Sequence, residues 1–285
     1  MINEQKPKIV RKIWGGEKLA TMKGLSSPPG AEPIGETLEI CQSSLPYLAK
    51  FIDTSDELSI QVHPGDEYAR IHENSSGKTE CWIILEAVAL AGIYLGLKPG
   101  VNRETLVLAL REKKPIQELV HFYPVKAGDF FFVPAGSIHA IGRDITLAEV
   151  QQNSGITYRV WDWDRLDEKG ISRELHVEKS LDVINFDSTK NSLNYFQHKK
   201  DLFSLIGLNE LCHHPEFHLF LVNQKKDELF EIDLKDQKRP CSILNLKGKI
   251  AVNDISLDSY GAVVINDEAV LKVKALEAGS FLLIR

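Results

Sequence analysis

Short apolar runs and strict apolar–polar alternation, each closed by Gly, Pro or Asn, recur along the whole chain. That is the pattern of β-strands joined by tight turns. The segment Val125-Lys-Ala-Gly-Asp-Phe-Phe-Phe-Val-Pro-Ala-Gly-Ser-Ile-His-Ala-Ile-Gly142 shows it best. It reads as a turn at Ala127-Gly128-Asp129, a buried strand over 130–133 and a second turn at Pro134-Ala135-Gly136. This turn delivers His139 into another apolar step, Ala140-Ile141. Residues 58–63 alternate, with Leu58, Ile60 and Val62 on one face and Ser59, Gln61 and His63 on the other. Further strands are expected over 37–41, 48–52, 81–85, 91–97, 146–151 and 157–163. In the last of these, Thr157, Arg159 and Trp161 lie opposite Tyr158, Val160 and Asp162.

Helical spacing is the exception. It is expected over 68–73, over 102–113 through Leu106, Val107 and Leu110, and over 172–183. In the last helix Ser172 suits an N-cap and Glu174 the first turn. Residues 1–37, rich in Gly and Pro, read as an irregular arm over a core. From about residue 193 onward the chain is all short strands, at 217–222, 229–234, 242–246, 262–265 and 281–284. One stretch echoes another: Val125-Lys-Ala-Gly-Asp-Phe-Phe-Phe-Val133 resembles Leu276-Glu-Ala-Gly-Ser-Phe-Leu-Leu-Ile284 in its order of turn and apolar residues. Many short strands with Gly and Pro turns mean a β-sandwich or barrel. The echo suggests two such β units with helical insertions. The first would span 1–192, arm and candidate ligands included; the second, smaller one would span 193–285 without ligands.

Composition narrows the function classes. The 285 residues are 43% hydrophobic and 26% charged, as in a globular protein with a core. A net charge of −6 argues against nucleic acid and offers no basic tract to a membrane surface. The charged N-terminus has no signal-peptide core, and no stretch has the length of a membrane span. Cys41, Cys81, Cys212 and Cys241 form no CxxC pair. The expectation is a cytoplasmic, reduced protein, monomeric or weakly dimeric.

Four residues of ligand type stand at strand ends or on strand faces: Gln61, His63, Glu80 and His139. Donors converging from separate strands can fix a metal's coordination geometry. Two His, a carboxylate and an amide oxygen suit zinc; two His and a carboxylate alone equally suit non-haem iron. The plainer reading is a core histidine satisfied by a carbonyl, with Gln61 and Glu80 facing solvent. Lys78, two residues before Glu80, would sit beside such a metal and could act as a general base. Arg159 could grip an anionic group of a substrate, and Glu149 is an acid with no evident structural task.

The spacing from Gly128 through Pro134-Ala135-Gly136 to His139 is that of the second cupin motif. Together with Ile-Trp-Gly-Gly-Glu-Lys-Leu (13–19), Ile-Gly-Glu-Thr-Leu-Glu-Ile (34–40), the 58–69 run, Gly-Lys-Thr-Glu-Cys-Trp-Ile-Ile-Leu (77–85) and 156–165, the chain resembles the type I mannose-6-phosphate isomerases in their short bacterial form. The resemblance implies cupin-type jelly-roll barrels and one zinc ion held by Gln61, His63, Glu80 and His139. It further implies Lys78 and Arg159 as catalytic residues. A phosphorylated sugar would be the substrate, isomerised through an enediol and bound by Lys78, Glu149 and Arg159. Leu38 departs from the Trp usual there, and Gly65 from an acidic residue; neither touches a ligand. The competing expectations are an iron-dependent cupin oxygenase and a non-catalytic sugar-binding cupin.

Overall fold

Burial along the central strands sets the layering. The computed structural model describes residues 1–166, 170–235, 237 and 239–285. Twelve strands come from the first part of the chain: β1 (Ile2–Glu4), β2 (Lys8–Gly16), β3 (Ile34–Ile40), β4 (Tyr47–Asp53), β5 (Ile60–Val62), β6 (Glu80–Ala87), β7 (Gly92–Leu97), β8 (Val120–Pro124), β9 (Phe130–Val133), β10 (His139–Ile141), β11 (Ile145–Gln152) and β12 (Tyr158–Trp161). Four helices are interspersed or follow: α1 (Lys18–Met22), α2 (Asp66–His72), α3 (Arg103–Arg111) and α4 (Val177–Val183). The later part adds β13 (Gly207–His214), β14 (Phe217–Gln224), β15 (Leu229–Asp233), β16 (Cys241–Lys247), β17 (Ile250–Val252), β18 (Ile255–Leu257), β19 (Ala262–Ile265), β20 (Val270–Ala275) and β21 (Gly279–Ile284).

These strands form four antiparallel sheets. Sheet I has the order β2-β3-β4-β11-β6-β9 and sheet II the order β12-β5-β10-β7-β8. Sheet III runs β1-β19-β16-β21-β14-β13, and sheet IV β15-β20-β17-β18. Strand β11, buried at every position, shows how they stack. Its Leu147 packs with Ile93, Leu95 and Ile141 of sheet II. Its Ala148 and Val150, facing the other way, pack with Leu219, Leu244 and Leu282 of sheet III. The outer face of sheet II, through Ile60, Val62 and Val160, is covered by Leu106 of α3 and Leu181 of α4. The far face of sheet III, through Val222, Phe281 and Leu283, is covered by Leu271 and Val273 of sheet IV. The layers therefore run helices, II, I, III, IV. The chain is mainly β, two packed sandwiches with helical insertions, as the periodicity suggested.

Three expectations need correction. The arm over 1–37 is not irregular throughout: Lys8–Gly16 forms the edge strand of sheet I, and Ile2–Glu4 crosses to pair with β19 in sheet III. Apolar alternation was masked there by lysines and arginines, which an edge strand tolerates because one side faces solvent. The helix expected from Ser172 starts only at Val177, with His176 at its N-cap. Residues before it stay extended because they bond to the chain around β12: Leu166 bridges Ser172, and His176 N–H donates to Arg159 C=O at 2.8 Å. The strand over 58–63 is regular only at Ile60–Val62. Asp167, Glu168 and Lys169 lie outside the described residues.

The echoed runs both become a turn and a strand, but in different places. Phe130–Val133 lies at the edge of sheet I, whereas Gly279–Ile284 sits in the middle of sheet III. Their glycines also serve different needs. Gly128 has a positive φ of 88°, which a side chain resists. At Gly279 a Cβ would collide with the Lys247 carbonyl.

Candidate metal centre

The space between sheets I and II is lined by two rows of residues. In sheet II, Cα pairing sets Arg159 beside Gln61 and Gln61 beside His139. Paired residues project to the same side, so these three share a face. That face is the inner one, because their neighbours Tyr158, Val160, Ile60, Val62 and Ala140 pack outward against the helices. In sheet I, pairing runs Leu38, Lys50, Glu149, Trp82, and Glu80 pairs with Gln151 one step along.

His63, Glu80 and His139 are buried, and one ligand atom from each lies within 4.8 Å of the other two. Glu80 Oε1 is 3.3 Å from His139 Nε2, and Oε2 is 3.3 Å from His63 Nε2. The Gln61 amide stands 3.3 Å from His139 Nε2. The ring orientations follow from the backbone. His139 Nδ1 is 2.9 Å from the Ser137 carbonyl, and His63 Nδ1 is 2.9 Å from the Ile156 carbonyl. A carbonyl can only accept, so each Nδ1 carries the proton and each Nε2 turns a lone pair inward. The Pro134-Ala135-Gly136 turn locks the two histidines together, since Gly136 N–H donates to the His63 carbonyl at 2.8 Å. Gly136 has φ 84°, and a Cβ there would meet the Val183 carbonyl.

Charge in this space is arranged unusually. Burial, then the Lys78 ammonium, pushes the His63 imidazole down to about 3, so it is neutral. Burial likewise lowers His139. Burial alone would raise the Glu80 carboxyl, but Lys78 and the two imidazoles hold it well below its ordinary value. Lys78 Nζ lies 2.8 Å from Glu80 Oε2 and 2.9 Å from His63 Nε2. Two inward lone pairs, each 3.3 Å from an oxygen of the Glu80 carboxylate, repel it unless a cation lies among them. The donor set therefore fits a divalent ion: neutral imidazole nitrogens held by backbone carbonyls, one ionised carboxylate and an amide. Lys78, donating into the same ring of lone pairs, is the cation now closest to that position.

Glu149 and Lys50 lie just behind. Lys50 Nζ is 3.1 Å from Glu149 Oε1 and 3.8 Å from Glu36. Trp82 Nε1 donates to Glu149 Oε2 at 3.2 Å, and Lys78 Nζ is 4.0 Å from Oε1. Burial opposes the Lys50 charge, yet the carboxylates of Glu149, Glu36 and Glu80 raise its pKa. Glu149 is raised by burial and by Glu80. The structure thus brings Gln61, His63, Lys78, Glu80, His139 and Glu149 into one cluster. Arg159 stands at its open end, where Nη1 donates to the Glu174 carbonyl at 2.6 Å and Nε has no partner among the described residues. Burial, then the neighbouring Arg173, lowers its pKa.

Lys50 escaped the sequence reading. The signal was there: a lysine between Ala49 and Phe51 in a strand of apolar residues sits where a charge is costly and requires a partner. Among the described residues no other group of three His, Cys, Asp or Glu is drawn together in this way. The four cysteines are free, and no described helix is long and apolar enough to cross a membrane.

No protein-family model matches the chain. It is 47% identical over 144 residues to mannose-6-phosphate isomerase ManA of Bacillus subtilis, covering 50% of this chain and 45% of that one. It is 34% identical over 211 residues to the probable mannose-6-phosphate isomerase GmuF of the same organism, covering 62% and 66%. The chain spans about half the length of the first curated relatives it matches. Its fold superposes on a crystal structure of mannose 6-phosphate isomerase from Bacillus subtilis with a TM-score of 0.80 at 23% identity, covering 99% and 98%. A putative mannosephosphate isomerase from Archaeoglobus fulgidus gives 0.76 at 20% identity, covering 99% and 96%. With sequence relatives and a whole-chain fold pointing the same way, the chain belongs to the mannose-6-phosphate isomerase family.

Proposed function

We propose that the chain interconverts mannose 6-phosphate and fructose 6-phosphate, using one zinc ion held by Gln61, His63, Glu80 and His139. The observation that carries this reading is the pair of neutral imidazoles aimed at an ionised Glu80, with Lys78 and Glu149 beside them. The relatives named above bear isomerase names, which favours this reading over an oxygenase or a non-catalytic binder.

The reaction moves a proton between C2 and C1 of the open-chain sugar. A zinc ion held by Gln61, His63, Glu80 and His139 would supply Lewis acidity toward the sugar oxygens. The remaining work falls to side chains. Lys78 has its nitrogen within reach of both Glu80 and Glu149, so it can hold a sugar oxygen or hand a proton across the enediol. Glu149, raised by burial, can accept a proton and is kept in place by Lys50 and Trp82. Arg159 offers its unpartnered Nε to the phosphoryl group or to developing oxyanion charge. In this reading the ligands stay within residues 1–192, and residues 193–285 form a ligand-free lobe. Metal analysis together with a coupled assay for fructose 6-phosphate tests the proposal. Expected are one zinc per chain and turnover that chelation removes and zinc restores. No turnover with zinc restored, or metal retained undiminished in His139→Ala, would sink it.

A further inference from the structure

The cations around the site differ in how far they are already engaged. Lys50 and Lys78 are held by buried carboxylates. Arg165 and Arg173 both bind Asp162. On the sheet II wall that leaves Arg159, whose Nε is unpartnered among the described residues. On the sheet I wall it leaves Lys8 and Lys12 of edge strand β2, neither of which makes an ion pair among the described residues; of the two, the exposed Lys8 lies in the regular pairing with β3, before the register shift at Val10 and Arg11.

Register puts Lys8 on the inner face. Lys8 pairs with Leu38, Leu38 with Lys50, and Lys50 with Glu149, with no bulge between these pairs. Lys50 and Glu149 meet each other inside the site, so the face they share is the one Lys8 projects from. The row grades outward from buried Glu149 and Lys50 through half-buried Leu38 to exposed Lys8. Opposite it, the sheet II row grades from buried His139 through half-buried Gln61 to half-buried Arg159. Both rows thus run from the ligand cluster to a cation at the open end. Strands lie about 4.8 Å apart, so Lys8 stands roughly 10 Å beyond Lys50, a span that suits an extended sugar whose far end carries the charge. Glu36 shares this face, but Lys50 is its partner.

We infer that Lys8 binds the phosphoryl end of the substrate across the mouth from Arg159. This rests on the isomerase reading proposed above and adds to it a residue that neither the motifs nor the ligand cluster identifies. A bland role exists for such a residue, since a lysine on an edge strand discourages pairing with another chain. The two roles give different kinetics. With the zinc-loaded full chain, Lys8→Ala should raise KM for mannose 6-phosphate about tenfold, with a much smaller change in kcat. Competitive inhibition by inorganic phosphate should weaken by a similar factor. Lys8→Arg should restore both, and Lys226→Ala, the same charge change at an exposed site in the other lobe, should alter neither. Unchanged KM and phosphate inhibition in Lys8→Ala, in a protein that turns over, would overturn the inference. If the wild type shows no turnover, the isomerase reading fails by itself. Calorimetric titration of wild type and Lys8→Ala with mannose 6-phosphate then decides Lys8: weaker binding in the variant supports it, and equal or absent binding rejects it.

Discussion

The two sandwiches share an architecture and differ in what faces inward. Between sheets III and IV the lining is aliphatic and aromatic, as with Val222, Ile243, Val263, Val273 and Phe281. From residue 193 onward, the buried polar side chains among the described residues are Asn223, Gln224, Ser242, Asn245 and Ser280, none of them charged. Between sheets I and II the lining includes Lys50, Lys78, Glu80 and Glu149 as well as His63 and His139. Even when paired, buried charges often stabilise less than apolar side chains of similar volume would, so the first sandwich gives up stability that the second keeps. The difference teaches that the scaffold does not make the site. A strand's inward positions do, and an apolar lobe backs the one that holds the buried charges.

Removing the charge closest to the ligands should break this contrast most severely. Lys78→Met should lower kcat by a factor of about 10² to 10⁴ while zinc stays bound, read by steady-state kinetics and metal analysis on the same preparation. Full activity would remove Lys78 from the chemistry. The second lobe should respond in the opposite way. Phe281→Ala, in the apolar interior facing sheet IV, should cost about 3–5 kcal/mol in urea unfolding, with kcat per folded molecule unchanged. A loss of kcat in folded protein would show that the backing lobe shapes the site directly.

The Lys50–Glu149 pair sharpens the same contrast. Lys50→Met alone strands a buried carboxylate and should destabilise by about 3–5 kcal/mol. The double replacement Lys50→Met with Glu149→Leu should recover most of that, ending between neutral and about 4 kcal/mol more stable than wild type, because it makes the first interior resemble the second. Activity should be lost in both. If the double variant unfolds as easily as the single one, the pair is not an isolated charge couple, and Glu36 must share its burden.

How much of this was legible beforehand follows from which signals are local. Alternation over 58–63 set Gln61 and His63 on one face, and the glycine-bounded run to His139 set the hairpin; both depend on neighbours in sequence. The partnership of Lys50 with Glu149 depends on register between β4 and β11, which joins residues far apart in the chain. Only the odd placement of a lysine in an apolar strand hinted at it. The extended backbone at Ser172 was hidden for a similar reason. Capping chemistry favoured a helix there, but bonding to β12 won because it satisfies Arg159 and His176 backbone groups together.

The smallest expected effect concerns pH, and its sign follows from the histidines. In the folded, metal-free chain His63 is pushed down to about 3, against 6.5 for an ordinary histidine. The unfolded chain therefore binds the extra proton through that whole interval while the folded chain does not. Stability from this group is complete above about pH 6.5 and falls as pH drops towards 3, by at most about 1.4 kcal/mol per unit. His139, lowered in the same direction by burial, steepens the slope. Glu80, whose carboxyl is depressed in the fold, adds its loss as pH falls to the ordinary value of 4.5 and below, where only the unfolded chain takes up the proton. Urea unfolding of chelator-treated protein between pH 7 and 5 measures the histidine contribution free of Glu80. His63→Asn should flatten the profile there. A wild-type profile that is flat across that window would mean His63 is not held neutral, and with it would go the inward lone pair on which the metal centre rests.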